Sequence, residues 1–115
     1  MDLRLTIKIS NSQPSIKGIF MNEMDLLDFF YDELRKEGKT HDTLFISLDE
    51  RAIEKLKTKL GVDVQITDLH KLADICIANE WLERTTADPH YRYLSLTEAG
   101  LQIAISYQYN SRQDQ

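Results

Sequence analysis

Residues 80–100 read EWLERTTADPHYRYLSLTEAG, and what this stretch becomes decides the fold. Residues 81–86 and 91–97 are two short runs with strand character, rich in aromatic, β-branched and aliphatic residues. Between them stands the joint ADPH. Its Asp88 and Pro89 favour a turn, the first by bonding nearby backbone through its side chain and the second by presetting φ. The pattern predicts a two-stranded hairpin. Its second run passes directly into a helix start, with Thr97 as N-cap and Glu98 in the first turn, where the helix dipole favours an acid.

Working back from the hairpin, VDVQIT crosses from a helix to one capped by Thr67 and running to about residue 79. Leu69, Leu72, Ala73 and Cys76 point inward on it, with Ile75 and Ile77 at the margins. The helix before that is capped by Asp49 and stopped by Gly61. Ala52, Ile53, Leu56 and Leu60 form its inner face, while Arg51, Lys55 and Lys59 recur one turn apart along the outer one. TLFIS, residues 43–47, reads as a brief strand. A further helix, capped by Asn22 and stopped by Gly38, gathers Met24, Leu26, Leu27, Phe30, Tyr31 and Leu34 on one face, opposite Asp25, Asp28 and Asp32. Phe29 falls outside that face, either half-covered by a neighbouring loop or in contact with another subunit. At the start, Leu3, Leu5, Ile7 and Ile9 alternate with Arg4, Thr6 and Lys8, the pattern of an edge strand or arm.

Beyond Thr97 the last helix is apolar on two sides. Leu101, Ala104, Ile105 and Tyr109 share one face, and Ile103 and Tyr107 lie nearly opposite. A domain this small covers only one such face by itself, so a homodimer is expected, with Phe29, Ile103 and Tyr107 at its interface. The expected organisation is an N-terminal arm over residues 1–21, one domain over 22–109 and a disordered tail over 110–115.

The chain has 115 residues, 42% of them hydrophobic, enough for a single core. Its 14 basic residues face 19 acidic ones for a net charge of -5, which argues against bulk attraction to phosphates or anionic lipid. MDLRLTIKIS lacks the basic and apolar regions of a secretory leader, and no run approaches the roughly 18 apolar residues of a membrane span. A soluble, cytoplasmic protein with no membrane partner is expected. Cys76 is the one cysteine, so neither an internal disulfide nor a cysteine zinc knuckle is available. There is no Gly-rich phosphate loop, GxSxG or HExxH, and His41, His70 and His90 stand far apart. His70 and Asp74 sit one turn apart without obvious further ligands. No enzyme, cofactor or metal is expected.

The order of elements is strand, helix, short strand, helix, helix, hairpin, helix. Over residues 22–109 this resembles the winged helix-turn-helix superfamily of MarR-like and PadR-like bacterial regulators. The residues carrying the likeness are ITDLHKLADICIANEWLER, similar to a third helix entering a wing, and YRYLSLTEAG, similar to a second wing strand ending in the family's Leu-Thr-x-x-Gly exit. The resemblance implies an α+β, mainly α fold, here with an extra N-terminal strand and a C-terminal helix. It also implies a dimeric regulator of double-stranded DNA, with the third helix in the major groove and the wing on phosphate or minor groove. On that expectation Arg51, Lys55 and Lys59 meet phosphates, His70, Lys71 and Asn79 face bases, and Arg84 and Arg92 brace the wing. Charge pulls the other way. Residues 68–100 hold three cations against six acids, and residues 49–61 only four against three. The alternative is a winged-helix module that binds a protein partner and no DNA.

Overall fold

A computed structural model of the protein describes residues 21–87 and 90–113. The expected strand at residues 3–9, its connector and the turn residues Asp88 and Pro89 lie outside the described residues. Within them the order is α1 (Glu23–Glu37), α2 (Glu50–Leu60), α3 (Ile66–Ala78), β1 (Leu82–Arg84), β2 (Leu94–Leu96) and α4 (Glu98–Gln113), an α+β architecture that is mainly α.

α1 begins with a reciprocal cap. The Asp25 N–H donates to Asn22 Oδ1 at 3.0 Å, and the Asn22 N–H donates to Asp25 Oδ2 at 2.9 Å. It ends at Gly38, whose left-handed φ of 66° suits a residue without a Cβ. Leu26, Leu27 and Phe30 are fully buried, and so is Phe29, at 2% exposure. That corrects its expected position outside the apolar face. α1 packs against α3, α4 and β2, so the helix needs an apolar arc wider than one stripe. The Phe29 ring meets that of Phe30 edge to face, 6.2 Å between centroids.

TLFIS contributes a single bridge, not a full strand. Ile46 and Leu94 exchange two backbone bonds of 2.9 Å, and the Leu48 N–H donates to Tyr91 O at 2.7 Å. Asp49 then caps α2, accepting from the backbone N–H of Arg51 at 3.0 Å and of Ala52 at 3.2 Å, which leaves no length for further pairing. α2 turns Ala52, Ile53 and Leu56 inward.

α3 starts at Ile66, and Gln65, not Thr67, occupies the cap position without a side-chain bond. Ile66 packs on the core, and that contact draws the first turn one residue earlier than the hydroxyl signal. At the other end the N–H of Glu80 bonds Ile77 O at 3.0 Å, and that of Trp81 bonds Cys76 O at 2.8 Å. This two-bond closure needs a left-handed residue, and Glu80 supplies it at φ 62°.

The hairpin pairs Leu82 with Leu96, Glu83 with Ser95 and Arg84 with Leu94. Its strands are three residues each, shorter than the sequence runs, because Tyr93 adopts φ 54° and breaks the ladder. β2 is buried at every position. It closes the core beneath α3 while Leu94 also bridges to Ile46.

Thr97 joins α4 to the end of α3. Its N–H bonds Trp81 O at 3.0 Å, its hydroxyl donates to Glu80 O at 2.6 Å, and the same oxygen accepts the Gly100 N–H at 3.0 Å. α4 continues through Gln113, past the point where a tail was expected, since residues 110–113 hold no Gly or Pro to stop it. Its faces are also shifted from expectation. Ala104 is buried and Leu101, Ile103 and Tyr107 are partly covered, whereas Ile105 and Tyr109 are 38% and 59% exposed. Polar bonds to α1 explain the shift, as they draw Tyr107 and Gln108 inward in place of the more apolar pair. Among the described residues no helix is long and apolar enough to cross a membrane.

Candidate macromolecule-binding surface

The basic stripe of α2 faces α1. Lys59 Nζ lies 3.0 Å from Asp28 Oδ2 and also bonds Asp32, while Lys55 Nζ donates to Glu33 Oε1 at 2.8 Å. Lys36 adds a second cation 3.4 Å from Glu33. From the other side, Gln108 Nε2 donates to Asp32 at 3.0 Å and to Asp28, and the Tyr107 hydroxyl donates to Asp25 at 3.2 Å. The acidic face of α1, opposite its apolar one, is therefore a polar seam between α2 and α4. Lys55 and Lys59 are engaged there, and among the described residues the exposed Arg51 side chain makes no ion pair.

The seam sets the acid response. Burial pushes the Asp32 carboxyl up, but hydrogen bonds from Lys59 and Gln108 and the charges of Lys59 and Arg35 outweigh it and hold it below its ordinary 3.8. Burial likewise opposes Lys55 and Lys36 at Glu33, which stays below its ordinary 4.5. Depressed carboxylates stabilise the folded chain fully above their unfolded values, and the contribution is lost as pH falls through the folded ones. Urea midpoints should therefore hold near neutral pH and decline below about pH 4.5. Lys59→Met should lower the midpoint at neutral pH and make that decline shallower; an unchanged slope would contradict the seam.

α3 and the hairpin are tied by a second network. His70 Nε2 lies 3.0 Å from Leu48 O, so the ring donates there, and it stacks on Tyr91 at 3.9 Å and 18°. The Tyr91 hydroxyl donates to both Asp74 oxygens, at 3.0 and 3.1 Å. The Arg84 guanidinium lies 5.1 Å above the Tyr91 ring and 4.0 Å from Asp74. His70 and Arg84, expected to face bases and brace a wing, hold the hairpin against α3. The Asn79 amide is also committed, donating to Ile75 O at 2.9 Å as part of the helix end. Lys71 is exposed, and Arg92 is exposed on the hairpin beside Tyr93. What α3 presents outward is a line of Thr67, Lys71, Ile75 and Ala78, with Ile75 at 40% exposure.

Tyr91 is the hub that sequence reasoning missed. Its partners come from three separated segments, the stretch at Leu48, α3 and β1, and no local spacing announces them. The three residues expected at a dimer interface are occupied within the protomer. Phe29 is in the core, Ile103 packs on it, and Tyr107 bonds Asp25.

Two concavities lie among the described residues near these networks. A groove of about 430 Å³ runs between α1, residues 44–48 and α2, with Phe29, Phe45 and Tyr93 in its lining. A cleft of about 460 Å³ is lined by Ile77, Glu80, Leu82, Glu83, Arg84 and Thr97. Burial, with a smaller push from Glu23, raises the Cys76 thiol to about 12, so it stays protonated at neutral pH. Among the described residues no three His, Cys, Asp or Glu side chains are grouped to hold a metal ion. In comparisons with known proteins the chain matches no family, no curated protein and no solved structure.

Proposed function

We propose that the protein is a winged-helix interaction module that uses α3 and its hairpin to contact another protein. The winged-helix reading is supported by the α2–α3 pair followed directly by the hairpin, and by the Ile46–Leu94 bridge that lays a third short segment beside it. One observation carries the choice of partner: Lys55 and Lys59, the cations best spaced to grip phosphates, are bound by Glu33, Asp28 and Asp32. Phosphate binding would have to break those pairs. The exposed line on α3 has an isoleucine at its centre and acids around it, a composition suited to a protein surface with an apolar spot and basic margins.

A second reading is supported by Arg51 and Lys71, which are exposed and make no ion pair among the described residues. In that reading they meet the backbone of duplex DNA, with α3 in the groove. Fluorescence anisotropy with mixed-sequence duplex at low salt separates the two. The partner reading expects no saturable binding, and Ile75→Arg should abolish retention of a specific protein from native extract. Saturable binding whose salt slope falls by about one unit in Lys71→Glu would transfer the assignment to DNA.

A further inference from the structure

The polar seam between α1 and α2 is a ladder whose last rung is open. Lys59 meets Asp28 and Asp32, and one turn earlier on α2 Lys55 meets Glu33. Successive turns of α2 therefore meet α1 in reverse order. Another turn along, four residues back from Lys55 and four on from Glu33, Arg51 falls opposite Glu37. Both side chains are exposed, and among the described residues neither makes an ion pair. Both also line the groove of about 430 Å³ between α1, residues 44–48 and α2. Of the five charged side chains in that lining, Glu33 and Lys55 bind each other and Asp49 caps α2, which leaves one acid and one cation. The rest of the wall is mostly apolar or aromatic. Phe29, Leu44 and Ala52 are buried in it, while Phe45 and Tyr93 stand 49% and 54% exposed. Tyr93 holds a left-handed φ of 54°, which costs a residue with a Cβ. Two bonds keep it there, its N–H donating to Ser47 Oγ at 3.1 Å and the Thr85 hydroxyl donating to its carbonyl at 2.5 Å.

We propose that this groove binds a free α-amino acid with a large apolar side chain, its carboxylate on Arg51, its ammonium on Glu37 and its side chain against Phe45 and Tyr93. A zwitterion satisfies both open charges at once, and a guanidinium takes a carboxylate through two parallel bonds. Simpler ions do not. A phosphate or a plain carboxylate would set an anion beside Glu37, and a plain amine would set a cation beside Arg51. The groove's volume falls within the roughly 300 to 1,000 Å³ of small-molecule sites, which likewise combine apolar walls with a few polar groups. No residue of α3 lines it, so the inference is independent of what α3 binds.

Amide chemical shifts of the full chain test it, with L-phenylalanine and L-leucine as probes. At about 10 mM, ten times a millimolar dissociation constant, at least one should give saturable shifts at Phe45, Ser47, Arg51 and Tyr93 while the α3 amides stay in place. The N-acetyl form of that probe lacks the ammonium and its amide lacks the carboxylate. Each should bind about ten-fold more weakly or worse, as should the free amino acid to Glu37→Gln and to Arg51→Gln. The losses should pair off. Removing the ammonium should cost nothing further in Glu37→Gln, nor removing the carboxylate in Arg51→Gln. Both side chains are exposed, so the two variants should melt with the unmodified protein. No saturable shift with either probe would overturn the proposal. So would equal binding of the free, acetylated and amide forms, which would leave both charges unused.

Discussion

Replacing Gly100 with alanine should destabilise the protein by about 3 kcal/mol or more, lowering its melting temperature by roughly 12 °C or more. The added Cβ would lie 2.1 Å from Trp81 O, 2.9 Å from Trp81 C and 3.0 Å from Leu96 Cδ1. Two of these are backbone atoms, and the Trp81 carbonyl is already held by the Thr97 N–H at 3.0 Å. Relief would require α4 to move away from the end of α3, breaking the Thr97 bonds to Trp81 and Glu80. Thermal unfolding followed by circular dichroism measures the loss. Ala99→Gly is the control: one residue away on the exposed side, it should cost only about 1 kcal/mol through helix propensity. A Gly100→Ala protein as stable as that control would mean the two elements do not meet this closely.

Phe29→Ala should cost about 3 to 4 kcal/mol, the usual result of emptying a large aromatic site in a core. The expectation follows from its 2% exposure and its edge-to-face contact with Phe30. The same variant should leave self-association unaltered in sedimentation equilibrium, because the ring has no surface to offer a second copy. A dimer, if the protein forms one, would instead lose affinity on changing Ile105 and Tyr109 to aspartate, since these are the apolar side chains α4 leaves exposed. Loss of association in Phe29→Ala without loss of stability would reverse the assignment.

Local signals carried far in this chain wherever a single backbone segment could satisfy them. The Asn22 cap, the Asp49 cap and the stops at Gly38 and Gly61 all sit where the sequence reading expects them. The hairpin and the helix after it were legible for the same reason, since Thr97 and Gly100 act on backbone within a few residues of each other and of Trp81. Less legible was which side of each helix would be used. Lys55 and Lys59 read as an outward stripe because spacing along one helix says nothing about the carboxylates on the next. His70 and Arg84 read as free side chains because Tyr91, which gathers them, is distant in sequence from one and near the other only through the hairpin.

Hydrogen-bonding order along the backbone is a short-range property, so the amino-acid sequence by itself determined the helices, the caps at Asn22, Asp49 and Thr97, and the hairpin. The facing of α1, α2 and α4 was decided only by tertiary structure. There, paired charges and buried amides competed with apolar side chains for the same interface. Phe29 was drawn into the core, Tyr107 and Gln108 turned toward α1, and Ile105 and Tyr109 were left outside, because the seam's carboxylates need donors wherever water is excluded.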